Sequence, residues 1–223
     1  PKHLKFIETL LKKVESSAKN FFLPTTIFED LGFRYFGPID GHNINELVST
    51  LKNIKELNTP VVLHTITKKG KGLDYAEHDP VKYHGVKEKK DTPLKKTNEV
   101  PIFQNVFAEV SCNLANENKN IVAITAAMRE GTGLVNFAKD FPDRYFDVGI
   151  AEAHGVTFAG GLAVNGKIPI VAIYSTFLQR GYDQIIHDIA LQKLPVIFCL
   201  DRSGLVGEDG ATHHGVLDIA YMK

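Results

Sequence analysis

Glu152 lies in the run Asp147-Val-Gly-Ile-Ala-Glu-Ala-His154, between a stretch that reads as buried strand and one that reads as buried helix. Tyr174, Phe177 and Arg180 follow in Tyr-Ser-Thr-Phe-Leu-Gln-Arg. Arg202 comes next, then Asp209, His213 and His214 in the glycine-rich stretch 204–215. Polar and aromatic exceptions to a core pattern mark sites. A carboxylate holds or moves a proton, and histidine shuttles one near neutral pH. Two aromatic rings can face a planar heterocycle, and arginine holds phosphate through paired hydrogen bonds. A glycine-rich loop lets such groups approach a ligand closely.

Each of these residues also has a plain structural explanation. A carboxylate in the first turn of a helix answers the helix dipole, an effect of about 0.3–1 kcal/mol. Tyr174 and Phe177 fit a core as well as a ligand, and most single arginines are solvated. Asp183 and His187, four apart, fit a ligand pair, a local salt bridge or an oligomer contact. The adjacent histidines diverge and no Cys or third ligand stands at zinc-like spacing, so no metal site is expected. The patterns of P-loop, dinucleotide-binding and nucleophile-elbow proteins are missing. Ala159-Gly160-Gly161 inside a helix costs about 1 kcal/mol per glycine relative to alanine, which implies something packed close to that helix.

The elements that must position these residues alternate. An amphipathic helix is expected over 1–20, a helical turn over 26–32, a strand over 33–36 and a Gly/Pro-punctuated loop over 37–42. A helix from 44 to 57 follows, with Asn43 and Glu46 as reciprocal cap partners, and then a buried-type strand over 61–67. Lys68 to Gly72 reads as a flexible cationic loop. The second series is helix 102–115, strand 121–126, helix 134–140, strand 144–148, helix 151–164, strand 168–174, helix 176–191 and strand 195–200. Such alternation predicts an α/β fold with parallel sheets flanked by helices. The three loops near Glu152, after Tyr174 and after Asp201 then meet at the C-terminal edge of the second sheet, where ligands bind. The lysine-rich, aperiodic stretch 82–100 reads as a linker. It separates two incomplete domains, 1–81 and 101–223, the first with too few strands for a sheet of usual size.

Composition narrows the function. The 223 residues carry 26 basic and 26 acidic side chains, so no global field draws nucleic acid or an anionic membrane. Hydrophobic residues at 43% and charged ones at 23% are ordinary for a globular protein. Cys112 and Cys199 supply no disulfide framework. No apolar run approaches the length of a membrane helix. The chain opens on Pro1, which suggests a processed or excised segment.

Seven segments in order carry a resemblance: Tyr35-Phe-Gly-Pro-Ile-Asp-Gly-His42, Thr67-Lys-Lys-Gly-Lys-Gly72, Asp79-Pro-Val-Lys-Tyr-His84, Ile124-Thr-Ala-Ala-Met-Arg-Glu-Gly131, Asp147-Val-Gly-Ile-Ala-Glu152, Tyr174-Ser-Thr-Phe-Leu-Gln-Arg180 and Gly207-Glu-Asp-Gly-Ala-Thr-His213. Together they resemble the 1-deoxy-D-xylulose-5-phosphate synthase family, transketolase-like enzymes that depend on thiamine diphosphate. The resemblance implies a thiamine diphosphate-binding fold with a diphosphate-binding part in 1–81 and a pyrimidine-binding part in 101–223. It implies decarboxylation of pyruvate and condensation with glyceraldehyde 3-phosphate, the first step of non-mevalonate isoprenoid synthesis and a source of thiamine precursor. By the family pattern Glu152 hydrogen-bonds the aminopyrimidine, Phe177 stacks on it, and Lys69 is a candidate for the diphosphate. Tyr174 and Arg202 hold the substrate phosphate, Arg180 supports the pocket, and Asp209, His213 and His84 act in positioning and proton transfer. A homodimer in a bacterial cytoplasm, or in a plastid-type organelle, is implied with it.

The departures are part of the reading. The family's Gly-Asp-Gly motif, which binds magnesium and the diphosphate, has no counterpart here, and Gly207-Glu-Asp-Gly210 is not it. Magnesium ligands are therefore expected outside this segment. Ala153 and Gly155 stand where Gln and Ala are expected. Two other readings stay open: an inert fragment that keeps the fold, and another transketolase-like enzyme.

Overall fold

The computed structural model describes residues 26–85, 100–207 and 209–223. The helix expected over 1–20 and most of the stretch read as linker, 86–99, lie outside the described residues. The chain divides into two compact units, Pro1–Pro93 and Leu94–Lys223.

In the first unit, β1 (Arg34–Asp40) pairs in parallel with β2 (Val61–Ile66). Gly37-Pro38 reads as loop punctuation, yet β1 runs through it to Asp40. The register shifts between Phe36 and Ile39 to admit a proline that has no N–H to give the ladder. The helix Ile44–Ile54 is capped as expected: Asn43 Oδ1 accepts from the Glu46 N–H at 3.2 Å. The return bond, 3.3 Å, runs from Asn43 Nδ2 to the Glu46 carboxylate, not to the cap's backbone. Contrary to the buried-type reading, β2 is half-buried at Val61–Leu63 and exposed beyond, because its two-stranded sheet covers little.

The cationic loop 68–72 is pinned where flexibility was expected. Lys68 pairs with Glu77, whose other oxygen accepts from the Gly72 N–H at 2.9 Å. His42 Nε2 accepts from the Lys68 N–H at 2.7 Å. The hydrogen bond to Lys68, then that to Gly72, holds the Glu77 carboxyl down at about 2. A depressed carboxyl contributes stability that is complete above its unfolded value and lost as pH falls through the folded one. The Gly72 amide is therefore expected to keep its hydrogen-exchange protection at pH 4.5 and to lose it toward pH 2. Loss of protection already above pH 5 would contradict this pairing.

The second unit is built on a parallel sheet in the order β4 (Tyr145–Asp147), β3 (Ile121–Thr125), β5 (Ile168–Tyr174), β6 (Ile197–Asp201). All five residues of β3 are buried, as befits a central strand covered on both faces. Ile124, Val171 and Ile173 meet Val156, Leu178, Ile185 and Ile189 in one cluster. Ala123, Ile170 and Ala172 meet Ala115, Leu134 and Phe137 in the other. The helices Phe103–Glu117, Val135–Asp140 and Glu152–Val164 match their sequence expectations within a few residues.

The single helix expected over 176–191 is broken into an α turn Ser175–Leu178, a 3-10 turn Gln179–Gly181, an α turn Tyr182–Gln184 and a π turn Ile185–Ala190. Gly181 sits at the break, where a Cβ would come within 3.0 Å of Val156. The tighter turn carries Arg180. Close packing on the Glu152–Val164 helix holds at Gly160, whose Cβ would lie 3.0 Å from Ile189, but nothing approaches Gly161.

Candidate functional site

The site lies at the C-terminal ends of the second sheet, where β4 ends at Asp147, β5 at Tyr174 and β6 at Asp201. Asp147 Oδ1 accepts from the N–H groups of Ala127, at 2.8 Å, and Gly149, at 3.0 Å. One carboxylate oxygen thus ties the loop after β3 to the loop that delivers Glu152. Ala127 has φ of 60°, a left-handed conformation uncommon outside glycine, and that bond helps hold it there.

Glu152 opens its helix and is 2% exposed. A buried carboxylate needs a partner, and Arg180 Nη1 donates to its Oε1 at 2.7 Å. Helix-dipole stabilisation alone does not account for that burial. The Arg180 guanidinium lies 5.0 Å from the centroid of the Phe177 ring. Phe177 stacks on Tyr174 at 6.0 Å and 16°. His213 stands edge-on to both rings, 5.2 Å from Phe177 and 6.3 Å from Tyr174. Tyr174 and Phe177 are half-buried, and Arg202 lies 4.4 Å over the Tyr174 ring. Arg202 Nε donates to Asp209 Oδ2 at 3.0 Å. Glu152, Arg180, Phe177, Tyr174, His213, Arg202 and Asp209 therefore form one continuous row of contacts.

Lys69 and His84 belong to the first unit. Lys69 is an exposed residue of the pinned loop, and His84 is exposed in the turn next to Tyr83, whose ring meets Tyr75 edge-on at 4.9 Å. The two adjacent histidines of the second unit do diverge: His213 joins the rings, whereas His214 Nδ1 accepts from the Val206 N–H at 3.1 Å. His187 pairs with Asp188 at 3.1 Å, not with Asp183.

Arg202 is held on several sides. Its φ is 57°, and its Nη1 donates to the Gly131 carbonyl and to Asp201 Oδ1, both at 2.7 Å. Burial alone would lower its pKa, but the hydrogen bonds to Asp201 and Asp209 outweigh that and raise it, so it stays charged. Burial, partly offset by Arg202, pushes the Tyr174 phenol up, so its hydroxyl remains a neutral donor. An anion at this point would meet a fixed cation and a phenolic O–H. It would also meet two carboxylates on that cation, so Asp209, the more exposed of the two, must yield. Asp209→Asn is expected to tighten inorganic phosphate binding by roughly fivefold at low salt, less as salt rises. Titration by calorimetry at two ionic strengths checks this, and weaker binding would contradict it.

Sequence reasoning missed Gly131 and Asp147. A Cβ on Gly131 would run into the Tyr174 hydroxyl, so this glycine makes room for the ring. Asp147 was visible as part of a run, but its bond to Ala127 joins residues 20 apart and leaves no local pattern.

The family described as "Transketolase, pyrimidine binding domain" matches residues 101–223, more than half the chain. The chain belongs to that family. The family described as 1-deoxy-D-xylulose-5-phosphate synthase matches residues 1–67. Similar curated proteins are the 1-deoxy-D-xylulose-5-phosphate synthases of Paraburkholderia phymatum, 55% identical over 100% of this chain, and Aliivibrio salmonicida, 53% identical over 97%. The resemblance read from seven segments is thereby borne out. The chain spans about a third of those relatives, 36% and 35% of their lengths. Among solved structures, a split-gene transketolase described as an inactive β4 tetramer is 32% identical over 53% of this chain and 38% of its own, with a TM-score of 0.47. Transketolase from Campylobacter jejuni is 16% identical over 88% of this chain and 42% of its own, with a TM-score of 0.48.

Proposed function

We propose that this chain supplies the pyrimidine-side half of a 1-deoxy-D-xylulose-5-phosphate synthase site, acting on pyruvate and glyceraldehyde 3-phosphate. The observation that carries the reading is a buried Glu152 carboxylate beside the half-exposed Phe177 ring, with Arg180 spanning both. These residues fit the aminopyrimidine of thiamine diphosphate. Arg180, 55% exposed, is a partner that water can take over when a ring claims the same two contacts. The cofactor supplies the electron sink for breaking and making carbon–carbon bonds.

Glu152 would hydrogen-bond the aminopyrimidine ring, Phe177 would stack on it, and the surrounding core would keep water from the carboxylate. Tyr174 and Arg202 face the phosphate of the aldehyde, Arg180 supports the pocket, and Asp209 and His213 position the substrate and move its proton. The family pattern assigns His84 to the same task and Lys69 to the diphosphate. Magnesium is assigned to ligands outside this segment, because the family's Gly-Asp-Gly motif has no counterpart in it. The corresponding division is a diphosphate-binding part in 1–81, a linker in 82–100 and a pyrimidine-binding part in 101–223. The two compact units and the two family matches support it. Magnesium, a homodimer, a link to thiamine synthesis and a bacterial cytoplasmic setting rest on the family alone. No helix among the described residues is long and apolar enough to cross a membrane.

Turnover decides the reading. With thiamine diphosphate and magnesium, carbon dioxide release from pyruvate should require glyceraldehyde 3-phosphate. Turnover of ketose phosphates in place of pyruvate would favour a transketolase, and no turnover of either would favour an inert segment.

A further inference from the structure

Behind the two residues assigned to the substrate phosphate stand two serines, Ser175 next to Tyr174 and Ser203 next to Arg202. Ser175 is fully buried. Both hydroxyls donate to one carboxylate, Ser175 Oγ to Asp218 Oδ1 and Ser203 Oγ to Asp218 Oδ2. Asp218 opens the helix Asp218–Met222, 43 residues from Ser175 and 15 from Ser203. The pairing of β5 with β6 ends at Tyr174↔Asp201, so Tyr174 is the last residue the ladder fixes on β5 and Arg202 already lies one residue beyond it on β6.

Neighbouring contacts brace the same junction. Gly204 and Gly215 exchange backbone hydrogen bonds at 2.8 Å each. A Cβ on Gly215 would strike the Ser175 side chain and come within 2.7 Å of the Arg202 carbonyl oxygen. The Tyr221 hydroxyl donates to the Ser175 carbonyl at 3.4 Å.

We propose that Asp218 is a positioning residue that sets the spacing of Tyr174 and Arg202, and with it the preference for a phosphorylated aldehyde. The inference rests on the reading of Tyr174 and Arg202 as the phosphate-facing pair. A carboxylate suits the task because its two oxygens accept from two hydroxyls at once and it carries no donor of its own to satisfy. Asparagine keeps the span, accepting from one serine and donating to the other, whose hydroxyl can turn to accept. Alanine removes it. Loosening a preorganised pair costs most in the step that needs both members.

The experiment compares the wild-type enzyme with Asp218→Ala, Asp218→Asn and Ser203→Ala, using pyruvate with either glyceraldehyde 3-phosphate or unphosphorylated glyceraldehyde. Asp218→Ala is expected to raise KM for glyceraldehyde 3-phosphate about tenfold and to erode the preference over glyceraldehyde by a similar factor. KM for pyruvate should stay within about twofold, and Asp218→Asn should restore most of the preference. Ser203→Ala, at an exposed residue, should shift the preference the same way by about threefold, and it carries the test if Asp218→Ala fails to fold. Variants that keep the wild-type preference, or an asparagine variant as impaired as alanine, would overturn the proposal while the functional reading stands. A wild-type enzyme that does not use the phosphorylated aldehyde would overturn both.

Discussion

Glu152→Gln is expected to lower pyruvate turnover by about two to four orders of magnitude with the fold intact. Glutamine matches glutamate in shape and keeps an oxygen for Arg180 Nη1, so the 2.7 Å contact can persist. It cannot take a full proton or balance a positive charge, and the proposed role of Glu152 needs that ability. The stability cost should be modest. Arg180 is 55% exposed and water can take over its charge, so the loss belongs with partly exposed pairs, at about 1 kcal/mol. Rates under cofactor saturation, read beside the denaturant midpoint, separate the two effects. A variant that keeps more than about a tenth of wild-type turnover would remove Glu152 from the proton chemistry.

The second large effect is expected at Gly131. Its φ is not in the left-handed region, so Gly131→Ala carries no backbone penalty and acts through contact alone. The added methyl would occupy the place of the Tyr174 hydroxyl. Tyr174 has little room to retreat, since Phe177 stacks beside it and Arg202 lies over its ring. The alternative is withdrawal of the 128–133 loop, which takes the Gly131 carbonyl away from Arg202 Nη1. Either movement separates the pair assigned to the phosphate. KM for glyceraldehyde 3-phosphate should rise by about a hundredfold, as a displacement of about 1 Å can cause, and stability should fall by about 1–3 kcal/mol from overpacking. Steady-state kinetics with the aldehyde varied, and an unfolding curve, check both parts. A KM near wild type would show that the loop and ring part without consequence.

The parts of the fold that were legible in the sequence are those whose signal is local. The run Ile121 to Thr125 reads as a strand because a parallel strand covered on both faces is apolar throughout. Asn43 and Glu46 announce a helix start because cap and partner lie three residues apart. Glu152, Phe177 and Arg180 were legible as exceptions to core pattern, although the salt bridge joining two of them was not. The break within 175–190 was hidden because apolar spacing survives a change from α to 3-10 and π turns, while the hydrogen bonds that distinguish them leave no mark on composition. Gly37-Pro38 misled because a strand can absorb a proline by shifting register. Lys68 to Gly72 looked flexible because Glu77, which pins it, lies beyond the loop. Asp147 and Asp218 act on residues 20 and 43 positions away, and such contacts exist only once the sheet has brought strand ends together.

The measurement that tests the account most directly is a calorimetric titration of thiamine diphosphate, with magnesium present, into wild type, Phe177→Ala and Arg202→Ala. If the row from Glu152 to Asp209 is the pyrimidine and phosphate side of a thiamine diphosphate site, wild type binds the cofactor in a magnesium-dependent manner. Phe177→Ala should then weaken that binding by about tenfold through loss of the stacked ring, and Arg202→Ala should leave it unchanged. Equal affinity in wild type and Phe177→Ala, or no binding heat in any of the three, would contradict the account.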